Sequence, residues 1–218
     1  LGSKKILNKF LGKSLRWNVC YQFTEDWKNP ILKNSIIIKN PKNRFLADPF
    51  VINYNNRSVI FVEDYDFNFN KGKISAYEVT SKEHKELGVA LQEKFHLSYP
   101  FLFKSKENLF MVPETHESKD IRLYKCIDFP LKWELHKILI KNVNAVDTNI
   151  FEYNNKYWIF TNLDTSNLGD YSSELHIFFA DTFDSTTWKP HSLNPVIFDS
   201  KIARNGGMIY SDKNQLHR

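Results

Sequence analysis

Acidic and polar side chains recur in this sequence at a fixed spacing. Asp48 and Glu63 lie 15 positions apart, as do Tyr99 and Glu114, and Asp147 and Asn162. A polar turn sits midway in each pair: Asn55-Asn56, Lys106-Glu107-Asn108 and Asn154-Asn155. Residues equidistant from a hairpin turn face each other across the ladder, with Cβ atoms about 5 Å apart. Each pair therefore marks the open end of a hairpin. Like charges gathered in one place are costly unless something binds them. Paired carboxylates around a polar funnel suit glycoside chemistry, where an acid and a base stand roughly 5–9.5 Å apart on either side of the scissile bond. On that reading Asp48 is the base or nucleophile. Glu114, crowded by other carboxylates, has a raised pKa and is the general acid. Asp147 orients the sugar or tunes the acid. Glu63, His96, Tyr99, Asn162 and Arg204 are the expected substrate-binding residues; Tyr99 and Phe101 are candidates for stacking on a sugar ring.

The elements that must hold these residues come in repeats. Leu46-Ala47-Asp48-Pro49-Phe50-Val51-Ile52 leads through its turn to Val59-Ile60-Phe61-Val62-Glu63. Leu97-Ser98-Tyr99-Pro100-Phe101-Leu102-Phe103 leads to Leu109-Phe110-Met111-Val112-Pro113-Glu114, and Asn144-Ala145-Val146-Asp147-Thr148-Asn149-Ile150-Phe151 leads to Tyr157-Trp158-Ile159-Phe160-Thr161-Asn162. Two apolar runs joined by an Asn-rich turn are a β-hairpin signal. Third strands follow at 73–79, 121–126 and 174–180, and closing segments start at Trp133 and Trp188. Four strands per repeat of roughly 40–50 residues signal a propeller blade. Blade repeats start near 46, 97, 144 and 203, the last with Asn205 at the matched position and Arg204 beside it. The fold class is all-β: a β-propeller of the five-bladed type, incomplete in this chain, with three full blades, part of a fourth and an N-terminal strand segment. Five blades need about 80 more residues. Residues 1–14 are expected to be a tag or N-terminal extension and 15–218 a single propeller domain, in which 15–38 adds strands toward closing the ring.

Bulk composition limits the alternatives. The chain has 218 residues, enough for one large all-β domain. Aromatic residues make up 15% of it, and such residues favour pleated, half-buried surfaces. No apolar run approaches the roughly 20 residues a bilayer requires. The net charge of +5 comes from Lys scattered through turns, with no basic face interleaved with exposed aromatics. Nucleic acid is therefore not an expected partner. Cys20 and Cys126 make no disulfide framework, and Cys126 is expected to be a buried thiol. A secretory leader is not evident, so a cytoplasmic location is the default. The seven His show no zinc-ligand spacing, and neither a Gly-rich phosphate loop nor a nucleophile elbow is present. No metal and no cofactor are expected.

Asp48-Pro49 at a blade start, with acidic residues on later blades, resembles the five-bladed propellers of the arabinanase, levansucrase and invertase superfamily. The run Trp188-Lys189-Pro190-His191-Ser192-Leu193-Asn194-Pro195-Val196 is similar to an outer-strand motif of those glycosidases. A closer resemblance spans about residues 44–210. Phe45-Leu46-Ala47-Asp48-Pro49-Phe50, Phe61-Val62-Glu63-Asp64-Tyr65, His96-Leu97-Ser98-Tyr99-Pro100-Phe101, Val112-Pro113-Glu114-Thr115 and Asn144-Ala145-Val146-Asp147 resemble the N-terminal domain of the glucosamine inositolphosphorylceramide transferase family. The resemblance implies a propeller in surface-polysaccharide or glycolipid biosynthesis, glycosidase-like or glycosyltransferase-associated, with a glycan or sugar-nucleotide ligand. A fused or separate transferase domain is the implied partner. Asp147-Thr148 replaces the hydrolases' Asp-Pro, and Asn205 stands where the fourth unit should have Asp. Those departures keep a non-catalytic glycan-binding or scaffold propeller as the alternative.

Overall fold

The computed structural model describes residues 16–26, 28–212 and 215–218. The expected extension 1–14 lies outside the described residues. Three antiparallel meanders dominate the fold. Blade one runs β3 (Arg44–Tyr54), β4 (Arg57–Asp66), β5 (Lys71–Val79) and β6 (His84–Leu91). Blade two runs β7 (Ser98–Ser105), β8 (Asn108–Glu114), β9 (Asp120–Asp128) and β10 (Lys132–Lys141). Blade three runs β11 (Ala145–Tyr153), β12 (Lys156–Leu163) and β13 (Glu174–Ala180), with two short outer pieces, β14 (Lys189–Pro190) and β15 (Ile197–Phe198), both paired to β13. The first strands β3, β7 and β11 pack on one another and form the inner wall. Two small hairpins complete the molecule: β1 (Val19–Tyr21) with β2 (Ile36–Ile38), and β16 (Tyr210–Asp212) with β17 (Gln215–His217).

Local chemistry explains the hairpins. At Asn55-Asn56 and Asn154-Asn155 both central residues have positive φ, between 50° and 59°. A two-residue turn with both φ positive matches the right-handed twist of the strands it joins, and Asn is among the few residues that adopt it cheaply. The Asn-rich turns of the sequence are thus the devices that set hairpin register.

Aromatic rings hold the blades together. Phe50 of β3 meets Tyr99 edge-to-face at 4.8 Å, and Phe61 of β4 meets Trp133 at 5.6 Å. Between blades two and three, Phe183 packs on Phe103 at 5.5 Å and on Phe110 at 4.9 Å. Such pairs add about 0.5–1.5 kcal/mol each beyond their buried area. Blade-on-blade stacking buries both faces of a strand, so β4 and β8 read as continuous apolar runs. The outward face of blade one is covered by the N-terminal hairpin, where Val19 and Ile38 close over Leu46, Ile60, Val62, Tyr77 and Val79.

Several expectations change here. The fourth repeat is only a partial blade: residues 203–209 form no strand, the short β16–β17 hairpin follows, and hydrogen bonds to Asn162 and to the Asp147 carbonyl draw Asn205 inward. Cys126 is half-buried rather than buried, because it lies near the outer edge of β9; burial still pushes its thiol up to about 11. Phe101 is 3% exposed and packs against Phe50 and Phe103, so the interblade core has taken it from the surface. No helix among the described residues is long and apolar enough to cross a membrane.

Candidate active site

One backbone irregularity recurs in all three blades. The ladder slips between Ala47 and Phe50, between Ser98 and Phe101, and between Val146 and Asn149. At the slip Asp48, Tyr99 and Asp147 adopt positive φ of 46°, 44° and 52°. Each inner strand thus carries a β-bulge at the same place, which bends it and re-aims one side chain. A left-handed backbone costs roughly 1–2 kcal/mol for a residue with a Cβ. A side chain as large as tyrosine is seldom found there.

The bulges correct the expected pairing. Glu63 is registered with Ala47, Glu114 with Ser98 and Asn162 with Val146. Asp48, Tyr99 and Asp147 are each displaced by one position and project from the bulge instead of facing their partners across the ladder. The 15-residue spacing locates the bulged level of each hairpin, while the extra residue at the bulge decides which way the side chains point.

At those ends the carboxyl groups of Asp48, Glu63, Glu114 and Asp147 share one electrostatic environment. Burial pushes Glu63 up to about 8, and the negative charges of Asp48, Glu114, Asp64 and Asp147 add to the effect. Burial also raises Asp48, with Glu114 acting in the same direction, while the Tyr99 backbone N–H donates to its Oδ2 at 3.3 Å and opposes the rise. Asp147 is raised by burial against the pull of Arg204, whose Nε donates to Asp147 Oδ2. Arg204 is the cation of the site, and its side chain keeps 45% of its exposure.

Two histidines flank the acids. His116 Nδ1 meets Glu114 Oε1 at 2.8 Å, and that bond raises the imidazole above its ordinary value. His96 is lowered by burial and is therefore neutral near pH 7; its Nε2 lies 3.5 Å from Glu63 Oε1. The rings continue outward, with His96 and His116 centroids 6.1 Å apart and Tyr171 5.7 Å from His116. Sequence spacing did not single out His116 or Tyr171. His116 follows Glu114 by two residues and could have been noticed from that proximity. Tyr171 comes from the loop between β12 and β13 and carries no motif.

Tyr99 and Asn162 serve the architecture. The Tyr99 hydroxyl donates to the Gly207 carbonyl at 3.0 Å and accepts from Asn149 Nδ2 at 3.2 Å, with the ring buried. Asn162 is fully buried. Its Nδ2 donates to the Glu174 and Ala203 carbonyls, both at 2.9 Å, and its Oδ1 accepts from Asn205 N at 2.9 Å. Asn205 in turn donates to the Asp147 carbonyl at 2.7 Å. This chain of bonds ties the 203–205 segment to blade three and so places Arg204 over Asp147. Among the described residues no group of three or more His, Cys, Asp or Glu is placed to hold a metal ion.

Three antiparallel blades whose bulged first strands form an inner wall define an incomplete β-propeller, and solved structures agree on the fold. A family 117 glycoside hydrolase from Zobellia galactanivorans superposes with a TM-score of 0.57 at 14% identity, over 73% of this chain and 59% of that one. The GH43 β-1,3-galactosidase BT0265 gives 0.61 at 12% identity, over 79% and 38%. An exo-β-1,3-galactanase from Phanerochaete chrysosporium gives 0.57 at 9% identity, over 68% and 36%.

The sequence carries the more particular relationship. The family model for the N-terminal region of glucosamine inositolphosphorylceramide transferase 1 matches residues 16–218, and the chain belongs to that family. Glucosamine inositolphosphorylceramide transferase 1 of Oryza sativa subsp. japonica is 31% identical over 213 residues, 95% of this chain and 27% of the relative. The Arabidopsis thaliana protein of the same name is 33% identical over 182 residues, 82% of this chain and 23% of the relative. The chain thus spans about a quarter of the length of these curated relatives.

Proposed function

We propose that the propeller mouth binds a sugar, as part of a glycan or a sugar donor, and does acid–base chemistry on it during surface-polysaccharide or glycolipid biosynthesis. The observation that carries this reading is the convergence of four carboxylates from three blades on one opening, with Arg204 and two histidines around them. Such a cluster is expensive unless a ligand or reaction uses it. Asp48 is the base, Asp147 with Arg204 orients the sugar, and Glu114, held by His116, completes the reacting set. Family membership supports a setting beside a glycosyltransferase, and the fold neighbours support sugar as the ligand class. Asp48→Asn and Glu114→Gln, assayed on a panel of activated glycosides and nucleotide sugars, should each lose at least 100-fold in turnover, the usual scale of general acid–base catalysis. Unchanged turnover in both variants overturns the assignment.

A second reading, a non-catalytic glycan-binding module that serves an attached or separate transferase domain, draws support from the Arg204–Asp147 ion pair, which occupies one of the three proposed reacting carboxylates. It predicts calorimetric binding of a glycan with no turnover, and binding that survives Glu114→Gln.

A further inference from the structure

A cleft of about 500 Å³ opens between blades two and three. Its walls come from three connections: the turn 115–119 after β8, the link 142–144 between β10 and β11, and the loop 164–173 between β12 and β13. Glu114 ends β8 and Asp147 stands near the start of β11, so these connections lie at the same end of the molecule as the carboxylates. Two of them reach the mouth as well. His116 opens the 3-10 turn that Lys119 closes in a left-handed conformation, and the Lys119 N–H donates to the His116 carbonyl at 2.9 Å. His116 bonds Glu114, and its ring lies 5.7 Å from Tyr171 of the 164–173 loop. The turn thus carries His116 at the mouth and Lys119 in the cleft, and the loop carries Tyr171 and Asn167 in the same way.

The cleft joins apolar contacts to unused amides. Val143 and Leu163 tie it to the core. Asn144 Nδ2 donates to Asn167 Oδ1 at a long 3.4 Å, which leaves Asn144 Oδ1 and Asn167 Nδ2 for another partner. Among the described residues, the side chains of Asn142 and Lys119 make no hydrogen bond or ion pair. The loop is braced without a ligand: Asp164 Oδ1 accepts from Ser166 Oγ at 2.6 Å and Oδ2 from the Gly169 N–H at 2.8 Å, while Thr165 Oγ1 donates to Glu174 Oε1 at 2.8 Å. Walls already held in place cost little to order when a ligand binds. A free amide offers a donor and an acceptor side by side, a pattern that neighbouring sugar hydroxyls match, and Val143 and Leu163 suit the C–H face of the ring. Lys119 adds a donor, and Asp164 in the same cleft offsets its charge, which favours a neutral ligand over an anionic one.

We propose that this cleft is a second saccharide subsite, and that the ligand of the mouth is a glycan of two or more sugar units extending past His116 and Tyr171 into it. This rests on the sugar-site reading and names its substrate class, an oligosaccharide rather than a lone sugar. Asn142 and Asn144 bind the hydroxyls of the distal unit, and the half-exposed Tyr171 ring supports the glycan on the way.

The test is calorimetry of the 218-residue chain with oligomers of one to four units in three series: β-1,3-linked galactose, β-1,4-linked glucosamine and β-1,4-linked N-acetylglucosamine. In at least one series affinity should rise about tenfold from the single sugar to the longer members, the scale of one or two added hydrogen bonds. Asn142→Gly removes an amide and keeps the left-handed backbone at φ 57°, and Asn144→Ala removes a second amide. Together they should bring the longer oligomers down to the affinity of the single sugar, whereas Arg204→Gln should weaken every member of the series. Lys119→Gly, at another left-handed position, should reduce the same gain and serves as the independent variant if the double one unfolds. Affinity that does not rise with length overturns the second subsite and leaves the mouth reading standing. A length gain that survives these substitutions in a folded chain overturns the assignment to this cleft. Binding of no member of any series overturns the sugar-site reading, and the subsite with it.

Discussion

Protonation at the mouth has a consequence for stability that belongs to single residues. Glu63 is raised from an ordinary carboxylate value to about 8 in the folded chain. Between those two values the folded state holds a proton that the unfolded state has released, so stability falls as pH rises through that window. His116, raised by Glu114, acts in the same direction: its contribution is present below its ordinary value and is lost as pH passes its folded one. Asp48 and Asp147, also raised by burial, act in the same direction, so melting temperature should decline from pH 5 to pH 9, and Glu63→Gln should flatten part of that decline, most visibly toward pH 8. A profile that keeps its slope in the variant would argue that other groups set it. Arg204→Gln is the complementary change. It strips Asp147 of its cation and should push the Asp147 titration further up, visible by NMR with 13C-labelled aspartate carboxyls.

At the scale of elements, turns and bulges do opposite jobs. The Asn55-Asn56 and Asn154-Asn155 turns place left-handed backbone on residues that accept it, and they fix hairpin register at little cost. The bulges place left-handed backbone on Asp48, Tyr99 and Asp147, where it is costly, and they turn those side chains away from their ladder partners. Asn55→Ala or Asn154→Ala should destabilise by about 1 kcal/mol in urea unfolding, because alanine lacks the local side-chain hydrogen bonding that makes the left-handed region cheap for asparagine. The sequence showed the turns directly, through Asn pairs at hairpin midpoints. It did not show the bulges. Asp48-Pro49, Tyr99-Pro100 and Asp147-Thr148 mark them, but an Asp-Pro pair is equally good turn chemistry, and only the ladder register separates the two.

For the whole molecule, what matters is how the last segment reaches the mouth. Asn162 collects backbone groups from residues 174, 203 and 205, although those positions are far apart in sequence. Asn162→Ala leaves buried backbone groups unpaired and should cost about 1–3 kcal/mol of stability. It should also loosen Arg204 from Asp147 and weaken sugar binding in calorimetry without any direct contact to the ligand. Unaltered affinity in a folded variant would separate the two effects and remove Asn162 from the support of the site.

The repeat, the hairpins and the identities of the mouth carboxylates were legible in the sequence alone, because strand periodicity and turn chemistry are local and the acids repeat at matched positions. Cooperation among Asp48, Glu63, Glu114 and Asp147 followed from that repeat. The environment of each acid did not. How far Asp48, Glu63 and Asp147 are raised depends on burial and on charges brought from other blades. The strand-free 203–209 segment, and the use of Asn162 as a strut rather than a mouth residue, likewise depend on contacts between distant segments. Spacing fixed which hairpin ends carry the polar residues; one extra residue in each inner strand, set by tertiary packing, decided where their side chains point.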